Sequence, residues 1–300
     1  MRAKSDNDTQ YLSYQVILGV SKLLDAATGS TFPSIDGASL REVLVLSPPL
    51  PEQRAIAAVL SDVDELIGSL EALIAKKQAI KQAAMQELLT ARTRLPGFGG
   101  EWKTCHLRTD ISLLSGHHVM AHDCNTLGLG LPYLTGPADF PDGRIQHTKF
   151  TTKPTTICRA GDILVTVKGS GSGTLVEADA DYCISRQLMS IRPTRKLNPT
   201  FLRYSLVQNA SRIKAASTGL IPGLSRSDIL DHSIPAPNRT GEQHAIATIL
   251  SDMDSEIAAL EHRLDKTRAI KQGMMQQLLT GSIRLPIPDD DTEDDDAHDA

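Results

Sequence analysis

The sequence has no run of about eighteen apolar residues, the length a helix needs to cross a bilayer, so no membrane span is predicted. Its first residues, MRAKSDNDTQYLSYQ, are polar and contain no continuous apolar stretch of the kind a secretion signal requires. A cytoplasmic chain with no membrane partner is expected. Aromatic residues make up only 4 % of the 300 residues, so Leu, Ile, Val and Ala must supply the core. The four cysteines, Cys105, Cys124, Cys158 and Cys183, are scattered with no CxxC pair, which argues against both a disulfide framework and a zinc knuckle. Catalytic signatures are missing too: there is no nucleophile elbow, Rossmann glycine pattern, HExxH or paired-carboxylate motif, and no Asn/Asp-Pro-Pro-aromatic stretch. VKGSGSGT (167–174) lacks the Gly-Lys-Ser/Thr ending of a phosphate loop. HHVMAHDC gathers His117, His118, His122, Asp123 and Cys124, but no second ligand cluster has a recognisable spacing, and a polar loop is expected. No catalytic residue, metal or cofactor is therefore assigned.

The formal net charge of -5 would discourage an anionic partner, yet the last twelve residues, DDDTEDDDAHDA, hold eight acids and no base. Without them the body is slightly basic. Residues 286–300 read as a solvated, disordered tail.

What the sequence does have is a repeat. EQRAIAAVLSDVDELIGSL begins at Glu52, and EQHAIATILSDMDSEIAAL begins at Glu242. At this offset of 190 residues, Glu52–Thr90 aligns with Glu242–Thr280 without a gap. The match runs back through Thr28-Gly29 with Thr218-Gly219, Tyr14 with Tyr204 and Tyr11 with Phe201, and forward to Arg94 with Arg284. Apolar residues recur at three-four spacing. Ile56, Leu60, Val63, Ile67 and Leu70 lead into Ile74, Ile80, Ala84 and Leu88; Ile246, Leu250, Met253, Ile257 and Leu260 lead into Leu264, Ile270, Met274 and Leu278. Each copy predicts one long amphipathic helix, about 60 Å at about 1.5 Å per residue. The two stripes are expected to pair as an antiparallel coiled coil, with a stutter after Ile74. Residues 47–95 and 238–285 are the two helical segments. The copy that begins at Met1 lacks its front, so residues 1–46 read as the tail of a first domain.

Between the helices, residues 96–237 change period. DILVTV, GTLVEA and QLMSIRP are short strand-like runs broken by turn residues, and PTFLRYSLVQNASRIKAAS returns to helical spacing. The fold class is α+β: one mixed α/β domain plus two long paired helices. Long hydrogen-bond donors cluster here: Arg144, Lys149 and Lys153; the loop of Lys168, Ser170 and Ser172; Arg186 and Gln187; then Thr218, Gly219 and Arg226. Such side chains suit phosphate oxygens, and Arg or Gln can read guanine or adenine edges. A plain hairpin turn and a solvated surface account for the same residues as well.

LPGFGGEW, GDILVTVKGSGSG, NPTFLRYSL, STGLIPGLSRSDILDHSIPAP and the two EQ helices together resemble the specificity subunit of type I restriction-modification systems, over nearly the whole chain. The resemblance implies a non-catalytic reading head. In that family two target-recognition domains each read half of a split site on double-stranded DNA, and two spacer helices hold them apart. Methyltransferase subunits dock on the helices, carry S-adenosylmethionine and flip the adenine, and restriction subunits join through the complex. It also implies that the Lys168–Gly173 loop, Arg186-Gln187 and Thr218-Gly219 face DNA. A full subunit would place counterparts of Glu101 to Leu197 before Met1. One complete reader and both helices are thus expected, with self-association as a route to two readers. The runner-up is a non-reading scaffold or dominant-negative fragment that binds methyltransferase subunits through its helices. A stand-alone transcription factor is disfavoured by the absence of a helix-turn-helix.

Overall fold

The structure, a computed structural model, describes residues 6–19, 44–169, 171–194, 196–215 and 223–285, the side chains of residues 142 and 214 excepted. Ser170, Thr218, Gly219, Thr28-Gly29 and the acidic tail lie outside the described residues. Packing divides the chain into two compact units, one built from residues 1–77 and 256–300 and the other from residues 78–255. The helices are α1 (Thr9–Leu18), α2 (Leu50–Leu88), α3 (Leu107–Asp110), α4 (Pro199–Gln208), α5 (Ala210–Ala215), α6 (Arg226–Leu230) and α7 (Thr240–Leu278).

Short strands, as the sequence predicts, build the second unit. They are β1 (Trp102–His106), β2 (Ile111–Ser115), β3 (Cys124–Asn125), β4 (Leu131–Leu134), β5 (Phe150–Thr151) and β6 (Ile157–Cys158). The set continues with β7 (Ile163–Thr166), β8 (Leu175–Glu177), β9 (Tyr182–Ile184), β10 (Leu188–Pro193) and β11 (Ser233–Pro237). One sheet runs β2-β10-β7-β8 with every pair antiparallel; another runs β3-β5-β4-β9-β6, with β4 and β9 parallel. β1 pairs antiparallel with β11, Trp102 opposite Pro237, so the segment's entry and exit lie side by side. Alternation along β7 splits its apolar residues between two cores. Ile163 and Val165 join Leu113, Ile191, Phe201 and Leu202, together with Met85 of α2 and Ile246 and Leu250 of α7. Leu164 points the other way, to Val176, Ile184 and Leu188.

The predicted helices are present, each of 39 residues. In the unit of residues 1–77 and 256–300, Ile67, Leu70 and Ile74 pack with Ile257, Leu260 and Leu264, the expected seam. Ile56 and Leu60 instead bury against Tyr11 and Tyr14 of α1 and Met275, Leu278 and Leu279. Val63 is half-buried. In the other unit, Ile246 and Leu250 are buried beside Met85, Leu88 and Leu89, with Met253 packed on their edge. Ile80 and Ile270, expected in the stripe, are 45 % and 50 % exposed. The reason is angular: six residues past Ile74 or Leu264 is about 240° around a helix, off the seam, whereas eleven residues return almost to it. Hence Met85 and Met275 are buried, while Ala84 and Met274, which the sequence reading placed in the stripe, are only half-buried.

The repeated phrase also carries a polar clasp, built twice. In one unit the Tyr14 hydroxyl donates to Asp64 Oδ2 at 2.7 Å, and Lys271 Nζ lies 2.6 Å from Asp64 Oδ1. In the other, Tyr204 donates to Asp254 Oδ2 at 2.5 Å, and Lys81 pairs with the same carboxylate. Gln53 accepts the Asp8 N–H at 2.9 Å and donates to Pro48 O at 2.8 Å; Gln243 accepts the Asn198 N–H at 2.8 Å and donates to Pro237 O at 2.9 Å. Glu52 and Glu242, each 1 % exposed, are closed by Arg284 and by Arg94 (Nε at 2.7 Å) respectively. Tyr, Asp, Lys, Glu, Gln, Arg and the capping Asp8 or Asn198 are all matched at the 190-residue offset; the carbonyl that accepts from the Gln amide, Pro48 or Pro237, is shifted by one position. Asp8 and Asn198 also cap α1 and α4. In each clasp the Asp and the Lys come from different long helices, so each repeat holds the other's end.

Two consequences follow for the unit of residues 78–255. Gln243→Ala leaves the Asn198 N–H and Pro237 carbonyl without their buried partner and is expected to cost about 1–3 kcal/mol, measured by denaturation followed through Trp102, the sole tryptophan. Burial pushes the Asp254 carboxyl up, but Lys81 and the Tyr204 hydroxyl outweigh it, and the group sits below its ordinary value. A folded value below the unfolded one adds stability above the unfolded carboxylate range, and that stability is lost as pH falls through the folded value. Asp254→Asn should therefore lower stability at neutral pH and flatten its decline below about pH 4, read from denaturation midpoints across pH.

Candidate nucleic-acid interface

Two of the predicted contact residues, Arg186 and Gln187, sit exposed on a tight turn whose flanking backbone groups are hydrogen-bonded. Between β9 and β10 the Leu188 N–H bonds back to Ser185 O at 2.9 Å, which leaves Arg186 and Gln187 at the corner. The Ser185 N–H donates to Leu134 O at 2.9 Å, and Gln187 O accepts the Val167 N–H at 2.8 Å. The Ser185 hydroxyl donates to Thr135 O at 2.6 Å and accepts the Gln187 N–H at 3.1 Å. Ser185 is buried, whereas Arg186 and Gln187 are exposed. Among the described residues, neither of those two side chains has a hydrogen-bond or ion-pair partner. A turn held this way fixes the backbone positions from which two long donors project.

Glycines on both sides let the turn sit where it does. A Cβ on Gly116 would lie 2.1 Å from Ser185 O, and one on Gly136 would lie 2.4 Å from Gln187 Oε1. The first collision is with backbone. The second is with the far end of a flexible side chain.

Two hollows flank the turn and share Arg186 and Gln187. One, about 390 Å³, includes Lys149, Val119, Cys124 and Tyr133 in its wall; the other, about 400 Å³ and more open, is bounded by Lys168 and Gly169. Lys149, Lys168, Arg186 and Gln187 are thus brought together, although 38 positions separate the first from the last in sequence. Lys168 is set by a bridge to Gly223, and Gly169 follows with φ 87°, a left-handed conformation that glycine adopts without a Cβ clash.

The other selected residues are placed differently. Lys153 lies 2.7 Å from Asp123, and that contact, helped by His122 and opposed by desolvation, holds the Asp123 carboxyl below its ordinary value. Arg226 is occupied: it donates to Ser115 Oγ at 2.8 Å and Leu113 O at 3.0 Å, tying α6 to β2. Arg144 lines a separate hollow of about 440 Å³ with Glu177, Asp179 and Arg203. Ser172 is 2 % exposed with its hydroxyl buried, so the hydroxyl offered to phosphate by the sequence reading faces the interior. The sequence reading missed Gly116, Tyr133 and the Thr135-Gly136 pair. Of these only Gly136-Pro137 carried a local signal, a turn-marking dipeptide.

The residue pattern of the family described as "Type I restriction modification DNA specificity domain" matches residues 1–82 and 102–268. The chain belongs to that family. Among its relatives is the type I restriction enzyme MjaVIII specificity subunit of Methanocaldococcus jannaschii, 25 % identical over 93 % of this chain and 71 % of that protein. Another protein of that organism, provisionally named the MjaX specificity subunit, is 28 % identical over 84 % of this chain and 62 % of its own length. The chain therefore spans about three fifths of that relative. The type I S subunit from M. genitalium shares the fold, with a TM-score of 0.65 at 18 % identity over 91 % of this chain and 73 % of that one.

In this family member the two glycines separate support from display. Gly116→Ala is expected to destabilise the unit by about 3 kcal/mol or more, because a carbonyl must move. Gly136→Ala should leave the denaturation midpoint nearly unchanged while it displaces the Gln187 amide, read as a shifted Gln187 side-chain amide signal in NMR spectra.

Proposed function

We propose that this chain is the DNA-specificity subunit of a type I restriction-modification complex, and that residues 96–237 read one half-site on double-stranded DNA. The observation that carries this reading is the Ser185–Leu188 turn, which displays Arg186 and Gln187 between hollows edged by Lys149 and Lys168, in a chain of the specificity family. Arg pairs bidentately with guanine O6 and N7, and Gln with adenine N6 and N7, in a major groove. Two such side chains on adjacent corner positions suit adjacent base pairs. Lys149 and Lys168 take the flanking phosphates and fix the register.

The helical segments 47–95 and 238–285 dock methyltransferase subunits, and restriction subunits join through them. Bond chemistry belongs to those partners, which makes this chain a non-catalytic component working in the cytoplasm. Leu66, Leu73 and Ile270 are 40 %, 38 % and 50 % exposed, and Leu66 and Leu73 lie seven residues apart on α2, which supports a helix-docking role. They equally favour the second reading, a scaffold that binds methyltransferase subunits, and self-association with another copy of this chain.

Fluorescence-anisotropy titrations of the chain with its methyltransferase partner, at several salt concentrations, decide between reader and scaffold. For a reader, Arg186→Ala and Gln187→Ala each cost about 1–3 kcal/mol on the specific site and relax preference at one base pair. Lys149→Ala and Lys168→Ala weaken all sequences alike, and each lowers the salt slope by about 1. A scaffold shows no sequence preference, and none of the four substitutions changes its affinity for DNA.

A further inference from the structure

The 390 Å³ hollow beside the turn has a chemistry that reading a duplex edge does not use. Base edges lie at the bottom of a groove and are read by protein parts that project into it. A concave hollow receives something that projects from the DNA. Its wall includes buried Val119 and Tyr133 and half-buried Cys124. The Tyr133 hydroxyl is already engaged by the Val119 N–H at 3.3 Å, and Val119, Tyr133 and Cys124 belong to one apolar cluster. The charged and amide groups stand at the rim: Lys149, Arg186 and Gln187, all exposed. The volume falls in the range of about 300–1,000 Å³ typical of small-ligand pockets, with the expected apolar wall and few polar groups. A ligand with a flat apolar face, a hydrogen-bonding edge and an attached anion fits this arrangement.

We propose that this hollow is a nucleotide site that takes one unstacked nucleobase of the bound DNA. The ring lies against Val119, Cys124 and Tyr133, its edge meets the exposed His118 imidazole, and its phosphate meets Lys149, which leaves Arg186 and Gln187 to the neighbouring base pairs. The inference rests on the DNA-reading function above. Unstacking costs a few kcal/mol, less where the base is mismatched, so the site favours DNA already weakened at that position. The same chemistry would be met by a free nucleotide.

The test uses the full chain with its methyltransferase partner and duplexes drawn from its methylated sites. 2-Aminopurine is placed at each position of the half-site in turn, and 2-aminopurine riboside monophosphate is titrated separately. A large change in emission on binding at one half-site position, together with about tenfold tighter binding when that position is mismatched, is expected. Ala121→Phe, which narrows the hollow from its exposed side, should remove both effects while far-UV circular dichroism is unchanged. Saturation by the free nucleotide, lost in Ala121→Phe, with no signal in bound duplex, would keep the nucleotide chemistry but overturn DNA as its source. Tight, sequence-selective duplex binding with neither signal would overturn the nucleotide site and leave the reading function standing. No duplex binding and no nucleotide binding would overturn both.

Discussion

The strand domain that carries the Ser185–Leu188 turn is anchored where one buried carboxylate, Glu242, is neutralised. A carboxylate at 1 % exposure is costly unless it is paired and hydrogen-bonded. Arg94 closes it with two bonds, at 2.7 and 2.8 Å, and the Trp102 indole N–H approaches at 3.4 Å. The neighbouring Gln243 spends its amide on Asn198 and Pro237. The first turn of α7 therefore gathers the loop before β1, the N-cap of α4 and the end of β11. Removing any partner would leave a buried polar group unmet, so the entry, the exit and the supporting helix of the strand domain share one anchor.

From that anchor the constraint passes inward through packing. α4 delivers Phe201 and Leu202 to the core that also holds Ile163, Val165 and Ile191. β7 and β10 pair Leu188 with Thr166, and β10 begins where the turn ends. The turn uses the Ser185 N–H and the Gln187 carbonyl to bind Leu134 and Val167, which ties its backbone to β4 and to the end of β7. Arg203 adds a tie of its own: it lies 2.8 Å from Glu177 of β8 and stacks over the Tyr204 ring, 4.1 Å from its centroid. The corresponding position in the first repeat is Ser13. The clasp of the second repeat thus carries an extra contact to β8.

Much of this was legible in the sequence, and the divide is physical. Helix existence and the duplication are periodic properties, and periodicity is written locally. The repeated Glu and the final Asp of the SDVD and SDMD runs carry no local sign of the clasp, because their basic partners lie 148 to 232 residues away in sequence. Ile80 and Ile270 were misplaced because one irregular step of six residues rotates the stripe. Arg186 and Gln187 could be chosen as donors, but Arg226 looked equivalent until Ser115 and the Leu113 carbonyl were seen to occupy it. Gly116 carried no pattern at all, since its role is defined by a carbonyl sixty-nine positions later. Ser172 was legible as a hydroxyl in a glycine-rich loop but not as a buried one.

The central claim is that a rigid turn on an anchored strand domain reads DNA bases. The most direct measurement is the methylation map of a cell expressing this chain with its methyltransferase subunit, compared with the map for the Arg186→Ala, Gln187→Ala double variant at equal protein level. The prediction is a defined adenine-methylated motif for the native chain that becomes degenerate at one or two adjacent positions in the variant, with the rest of the motif retained. An identical motif in both maps would contradict it.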